Sequence, residues 1–233
     1  MVGASSGIGK ELVRQLAKQG CKVAALARRK DLLDQLAAHE GANVLPFAHD
    51  VTDYDSVPLL FQRVTKELGG LDLIIYAAGV MPAVEPLEFR FDIDQQIFEV
   101  NVLGAMAWLD QAAIRFGHTQ TGTIVAIGSV AGDRGRAGQP AYNASKAALA
   151  TFMEALRNRL DRKNVNVVTV KPGPVDTPMS AEVGAKKLPV EQAAALILKK
   201  AQSPGEHYLL LPHRIIFAVI RNIPSPVFRR LNI

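Results

Sequence analysis

The sequence predicts an α/β domain, a doubly wound parallel sheet with helices on both faces. Three observations point there. Short apolar runs alternate with longer stretches of helical periodicity along the chain, the pattern that builds right-handed β-α-β units. The runs are near-continuous, as in V-A-A-L-A and T-I-V-A-I, which suits strands buried on both faces. Finally, 233 residues with 48% hydrophobic and 21% charged side chains suffice for one sizeable core. No repeat, low-complexity tract or Gly/Ser linker marks a second domain, so residues 1–233 are read as one.

The chain opens on a glycine turn, G-A-S-S-G-I-G, containing Gly3, Ser5, Ser6, Gly7 and Gly9, and runs into an apolar-periodic helix from Ile8 to Leu16. This is not the phosphate loop G-x-x-x-x-G-K-[ST], because Glu11 stands where Ser or Thr would bind magnesium, and it is not G-x-G-x-x-G either. It does the same physical job, letting backbone N–H groups at a helix N-terminus approach a pyrophosphate. Next come strand 22–27, helix 30–40, strand 43–48 and helix 53–68, for which Asp53 is the expected cap. Strand 72–77, helix 94–115, strand 123–128, helix 142–162, strand 165–170, helix 190–202 and a short strand 207–211 complete the order.

Ser129, Tyr142 and Lys146 carry the chemistry. Reducing a carbonyl by hydride needs a proton delivered to its oxygen, and a phenol serves if a neighbouring cation lowers its pKa from about 10. Tyr142 and Lys146, four apart in Y-N-A-S-K on an alanine-rich helix, share one face, so the expectation is a tyrosinate stabilised by the ammonium. Ser129 follows an apolar strand, at the carboxyl end where open α/β sheets bind ligands, and can hold the substrate oxygen.

With Asn101 in F-E-V-N-V-L-G, these motifs make the chain similar to the short-chain dehydrogenase/reductase family from residue 1 to about Gly205. The matching positions are Gly3, Gly7 and Gly9; Asp50 in H-D-V; Ala78 and Gly79; Asn101; Ser129; Tyr142; Lys146; and Pro172, Gly173 and Thr177 in K-P-G-P-V-D-T-P. The resemblance implies a Rossmann fold, a nicotinamide cofactor, Tyr142 as acid/base and Lys146 on the nicotinamide ribose. It further implies Ser129 on the carbonyl and Asn101 holding a water in a proton relay. Ile8, Val51 and Val175, beside these motifs, join the expected cofactor contacts. Family members commonly form homo-oligomers, and 178–188 lies where they carry a substrate lid.

Two departures stand out. The family places a strand before the glycine turn at the centre of the sheet, between 22–27 and 72–77, whereas only Met1 and Val2 precede Gly3. The expectation is a truncated first strand that leaves roughly five ladder positions on each neighbour unpaired, at about 1 to 3 kcal/mol for each buried group. An upstream start, a truncated form or a substitute segment would each account for it. The gap also keeps open a second reading, a non-catalytic NADP-binding or interaction protein. In addition, Ala77 stands where an asparagine is common, which removes a side-chain brace.

The end of strand 22–27 indicates the nucleotide. Ala27, Arg28 and Arg29 offer cations and no carboxylate for a ribose 2′-hydroxyl, so the expected cofactor is NADP(H), with Arg28 on the 2′-phosphate and Arg29, Ser5 or Ser6 assisting. The activity expected is interconversion of a ketone or aldehyde with its alcohol. Met179 and Val183 are candidates for a pocket wall or for core caps. Arg134 and Arg136 are candidates for an acidic substrate group, with a solvated loop as the plainer alternative.

Charge is unevenly placed. From Lys186 onward there are eight Lys/Arg and two Asp/Glu, while the rest of the chain holds 19 basic and 20 acidic residues. The segment 214–233 mixes arginines with apolar side chains; its ten apolar-rich residues before Pro224 are too few to span a bilayer, and peripheral membrane contact stands beside packing over the cleft or a neighbouring subunit. Nucleic acid is not expected as a partner, because no basic stripe alternates with aromatics, which make up 6% of residues. The lone Cys21 and the scattered histidines point to a reducing, cytoplasmic setting and no metal.

Overall fold

A computed structural model of the chain describes residues 1–85 and 87–231. The elements run α1 (Gly7–Lys18), β1 (Val23–Ala27), α2 (Lys30–Glu40), β2 (Val44–Ala48), α3 (Val57–Leu68), β3 (Leu73–Tyr76), α4 (Phe91–Phe98) and α5 (Gly104–Thr119). They continue with β4 (Thr123–Ile127), α6 (Pro140–Leu160), β5 (Asn166–Lys171), α7 (Val190–Lys200), β6 (Gly205–Tyr208), α8 (Leu211–Asn222) and α9 (Ser225–Phe228). All strand pairings are parallel, β1 with β2 and then β3–β4–β5–β6.

The strands read as continuous apolar runs because successive residues feed opposite cores. Ile74, Tyr76, Ile124 and Ala126 pack on one face with Phe61, Trp108, Phe116 and Met153 of α3, α5 and α6. Ile75, Val125 and Ile127 pack on the other with Leu12, Ala193 and Ile197 of α1 and α7. Each fully buried aliphatic or aromatic side chain contributes about 1.5–3 kcal/mol, so this two-sided burial holds the sheet. The continuous helical run Phe91–Thr119 is long and apolar enough to cross a membrane by composition, but Trp108, Leu109, Ala112 and Phe116 are buried in the core.

The centre of the sheet is more complete than the sequence led us to expect. Val2 bridges both Leu26 and Tyr76 in parallel sense. Met1 N donates to Ala24 O at 2.8 Å, Leu26 N to Met1 O at 2.9 Å, Val2 N to Ile75 O at 3.0 Å and Ala77 N to Val2 O at 2.8 Å. Two residues therefore tie β1 to β3, and only the stretch below Met1, between Val23 and Leu73, lacks a strand among the described residues.

Several boundaries move for local reasons. Helix α3 starts at Val57 rather than 53, and Ser56, not Asp53, is its N-cap residue. Asp50 Oδ1 accepts both the Thr52 N–H and its hydroxyl, a side-chain turn that delays the helix until Pro58 can start it. Between α4 and α5 the helix widens into a π-turn, Glu99–Leu103, which carries Asn101. The last strand runs Gly205–Tyr208 rather than 207–211, and Leu211 and Pro212 instead open α8. Of the C-terminal segment, residues 232–233 lie outside the described residues.

Candidate active site

The glycine turn sits directly above the sheet's centre. Gly3 N and Ala4 N both donate to Leu26 O, at 2.8 and 3.0 Å. Gly3 has φ +90°, and a Cβ there would run into the backbone of Ala78; one at Gly9 would overlap Gly3 O. Larger residues would push α1 away from the strand ends. The N-cap Ser6 makes no side-chain cap bond and the first turn of α1 holds no acidic residue, so the helix presents its N-terminal N–H groups to the cavity above.

Ser129 closes β4 at the same edge. Gly128 N donates to Val170 O at 2.8 Å and Val130 N to Pro172 O at 3.0 Å, which pins the serine between β5 and the Pro172–Gly173 turn. Its Oγ accepts from Ala131 N at 3.1 Å. The short 3-10 turn Val130–Asp133 then presses on α6: a Cβ on Gly132 would lie 2.7 Å from the carbonyl carbon of Lys146. That contact sets the serine against the helix bearing Tyr142 and Lys146.

One cavity of about 980 Å³ is lined by Ser129, Tyr142 and Lys146 together with the glycine turn. Arg28, Arg29, Val51, Ala78 and Gly79 line it too, as do Pro172, Gly173, Val175 and Thr177. Two of the expected residues stand outside. Asp50 lines an adjoining shallow depression with Arg28, which lies 3.8 Å from its carboxylate. Asn101 is wholly buried; its Nδ2 donates to Val80 O (3.1 Å) and Ser145 Oγ (3.1 Å), and its Oδ1 accepts from Val80 N (2.8 Å). With Ser145 Oγ donating to Tyr142 O at 2.8 Å, the Asn101 side chain braces the loop after β3 against α6.

Comparison with known proteins decides what this edge belongs to. The model of the short chain dehydrogenase family matches residues 1–188. The chain belongs to the short-chain dehydrogenase/reductase family. An uncharacterized oxidoreductase of Myxococcus xanthus is 38% identical over 184 residues, 78% of this chain and 73% of that protein. Carbonyl reductase family member 4 of Xenopus tropicalis is 32% identical across 76% of this chain and 75% of its own length. Among solved structures, a short chain dehydrogenase of Burkholderia cenocepacia in complex with NADP superposes with TM-score 0.85 at 26% identity, covering 99% of this chain and 94% of that one. The protein is thus an oxidoreductase with an NAD(P)-binding Rossmann fold.

The electrostatics of this dehydrogenase correct one expectation. Lys146 Nζ lies 5.7 Å from the Tyr142 ring centroid and donates to Ile127 O at 3.0 Å, not to the phenol. Burial raises the Tyr142 pKa, against the smaller opposing pull of the Ser129 hydroxyl and the Arg136 guanidinium. It also pushes Lys146 down to about 8. Lys146 is not among the charges that pull on the phenol, so burial sets the direction and favours its protonated form.

The nucleotide end is differently wired as well. Arg29, placed second in the sequence reading, donates to Ser5 Oγ and Ser6 Oγ at 2.8 and 2.9 Å, while Arg28 leans toward Asp50. Segment 178–188 is a loop closed at its base, where Asp176 N donates to Leu188 O and Leu188 N to Pro174 O. Met179 and Val183 line the cavity, which favours the pocket-wall alternative.

A cluster that sequence reasoning missed lies behind Ser129. The Asp133 carboxylate, its side chain 0% exposed, accepts from Lys171 Nζ (2.6 Å), Tyr208 OH (2.7 Å) and Arg221 Nη2 (2.6 Å). Arg134 donates to Arg221 O and Ser225 Oγ and stacks over Phe228, with its carbon 4.6 Å from the ring centroid. These bonds fasten α8 and α9 to the serine's loop, and the His213 ring fills the space beside Gly173. Only the count of unassigned charges in D-R-G-R hinted at this; partners 38 to 88 residues away could not be named from the sequence.

Proposed function

We propose that this dehydrogenase is an NADP(H)-dependent reductase of a ketone or aldehyde, acting reversibly on the alcohol, with Tyr142 as acid/base. What carries the reading is the shared wall: Ser129, Tyr142 and Lys146 line the same cavity as the uncapped N-terminus of α1. That N-terminus fits a dinucleotide, because it offers free N–H groups and a positive dipole end to a pyrophosphate. Gly3 to Gly9 would hold that group, Arg29 and Arg28 the 2′-phosphate, Asp50 and Val51 the adenine side, and Ala78, Gly79, Pro172, Gly173, Val175 and Thr177 the nicotinamide half. The nucleotide supplies or accepts hydride. Ser129 orients the carbonyl oxygen by hydrogen bond, Tyr142 delivers its proton there, and Lys146 supplies positive charge beside the phenol. The carbonyl reductase name of the Xenopus relative and the NADP bound to the Burkholderia neighbour support this choice.

Thermal melting tests the cofactor. At a hundredfold excess over Kd, a ligand adds about 2.7 kcal/mol, which for a chain of this size is a rise of about 5–10 °C. NADPH should raise Tm more than NADH at equal concentration, and Arg28→Gln with Arg29→Gln should erase the difference. Equal shifts from both nucleotides would refute the NADP preference, and no shift would refute the cofactor site.

We also propose that α8 rests on the anionic cytoplasmic face of a membrane. Its Leu211, Ile215 and Val219 are 67%, 59% and 61% exposed, Arg214, Arg229 and Arg230 are exposed nearby, and no acidic residue follows Glu206 in the sequence. An apolar stripe with unopposed arginines suits anionic headgroups. Co-sedimentation with phosphatidylserine vesicles at low salt, lost in Ile215→Glu/Val219→Glu at unchanged Tm, is the expected result. Failure to sediment, with the double variant converting a dimer to a monomer, would assign the face to a second copy instead.

A further inference from the structure

Arg136 and Gln139 sit in the loop that connects Ser129 to Tyr142, and both line the cavity carrying Tyr142. Arg134, two residues before Arg136, is consumed by its bonds to the C-terminal helices. Arg136 is not. Among the described residues its one side-chain bond is a long one, Nη2 to Asn143 Oδ1 at 3.4 Å, and its buried Nε has no partner. Among the described residues no carboxylate forms an ion pair with it. The buried Gln139 Oε1 is also without a partner among them.

The loop holds this geometry at some cost. Gln139 adopts φ +57°, the left-handed region that a non-glycine residue enters only when its surroundings require it. Asn143 Nδ2 reaches back to Gly138 O at 3.0 Å and Arg136 O at 3.4 Å, so the first turn of α6 clamps the backbone on both sides of Ala137. Arg136 thus lines the cavity on a fixed stem, and among the described residues its Nε–Nη2 edge is left without a strong acceptor. That edge is the one that matches the two oxygens of a carboxylate. Val80, Met81, Met179 and Val183 give the cavity apolar lining. Glu85 and Glu182 also line it, but both are exposed, where water and salt screen them.

We propose that Arg136 binds a carboxylate carried by the carbonyl substrate, so that the physiological substrate is an oxo acid with an apolar body. The inference rests on the reading of Tyr142 as the proton donor: the position of the arginine between Ser129 and Tyr142 places the carboxylate near the reacting carbonyl. Gln139 lies beside it as an acceptor for a substrate donor. A bound carboxylate offers the guanidinium a stronger acceptor than the long Asn143 bond, and the clamped loop loses little further freedom when it does so.

The test uses the full chain loaded with NADPH and a panel of oxo acids, each paired with its methyl ester. The wild type should favour the acid, and the acid-to-ester ratio of kcat/KM should fall at least tenfold in Arg136→Gln. Arg136→Lys, which keeps the charge without the planar edge, should keep part of that ratio. An equal ratio in wild type and Arg136→Gln overturns the proposal. Calorimetry on the NADP-loaded protein is the second readout, comparing a saturated carboxylate with its amide. The carboxylate should bind at least tenfold more tightly, with the preference lost in Arg136→Gln. No such preference in the wild type overturns the proposal even if no compound is reduced. A preference without turnover of any pair upholds the carboxylate site and refutes carbonyl reduction instead. A rise in Tm with NADPH in each variant verifies that it is folded.

Discussion

Tyr142→Phe should reduce carbonyl turnover by about 100- to 10,000-fold, the range that a positioned general acid contributes, and leave the NADPH-induced rise in Tm in place. The hydroxyl is removed while the ring keeps its place in the cavity wall, and the nucleotide contacts expected from the glycine turn do not depend on it. Steady-state rates on the oxo-acid panel measure the effect, and wild-type-like rates would refute the acid/base role. The pH profile adds a second signature. Lys146, pushed down to about 8 by burial, is charged below that pH and neutral above it. Wild-type reduction should therefore decline as pH rises through about 8, as the ammonium beside the phenol is lost. The residual rate of Tyr142→Phe, with no proton donor to support, should show no such limb.

Asp133→Ala should be the most destabilising single change behind the site. It leaves Lys171, 1% exposed, with Glu206 as its remaining ion pair at 2.8 Å, and removes the acceptor of the Tyr208 hydroxyl. Breaking a buried pair by removing one partner costs about 3–5 kcal/mol. With Glu206 still in place the lower end applies, and about 3 kcal/mol corresponds to a fall in Tm of about 6–12 °C for a chain of this size. Limited proteolysis should then cut first near α8, because Arg221 loses its bond to Asp133 and the helix its tie to the serine's loop. A Tm within about 2 °C of wild type would mean that the cluster does not hold this region together. Asp133→Asn, which keeps acceptor and shape but not charge, should fall between the two.

The parts of this protein legible in the sequence were those with short range. The buried strands could be recognised from their composition, because each must be apolar on both faces. Tyr142 and Lys146 could be put on one face of a helix because four residues make about one turn. The glycines marked a close backbone approach, and Gly3 and Gly9 indeed leave no room for a Cβ.

The rest depended on partners far apart along the chain. Met1 and Val2 looked too few to serve as a strand, yet their bonds to Ala24, Leu26, Ile75 and Ala77 tie together strands that the chain visits some 20 and 70 residues later. Arg134 and Arg136 are equivalent in D-R-G-R, and only the folded loop gives one to the C-terminal helices and turns the other to the cavity. The direction of the Tyr142 shift was also beyond sequence: the spacing of Tyr142 and Lys146 names a cation, but the desolvation that raises the phenol and lowers the ammonium comes from the packing around them. The sequence by itself determined the α/β architecture, the family and the set of reactive side chains, because periodicity and motif spacing are local properties of the chain. Tertiary structure alone decided which charges pair, which stand free and which proton stays on, because burial and long-range contacts set those energies.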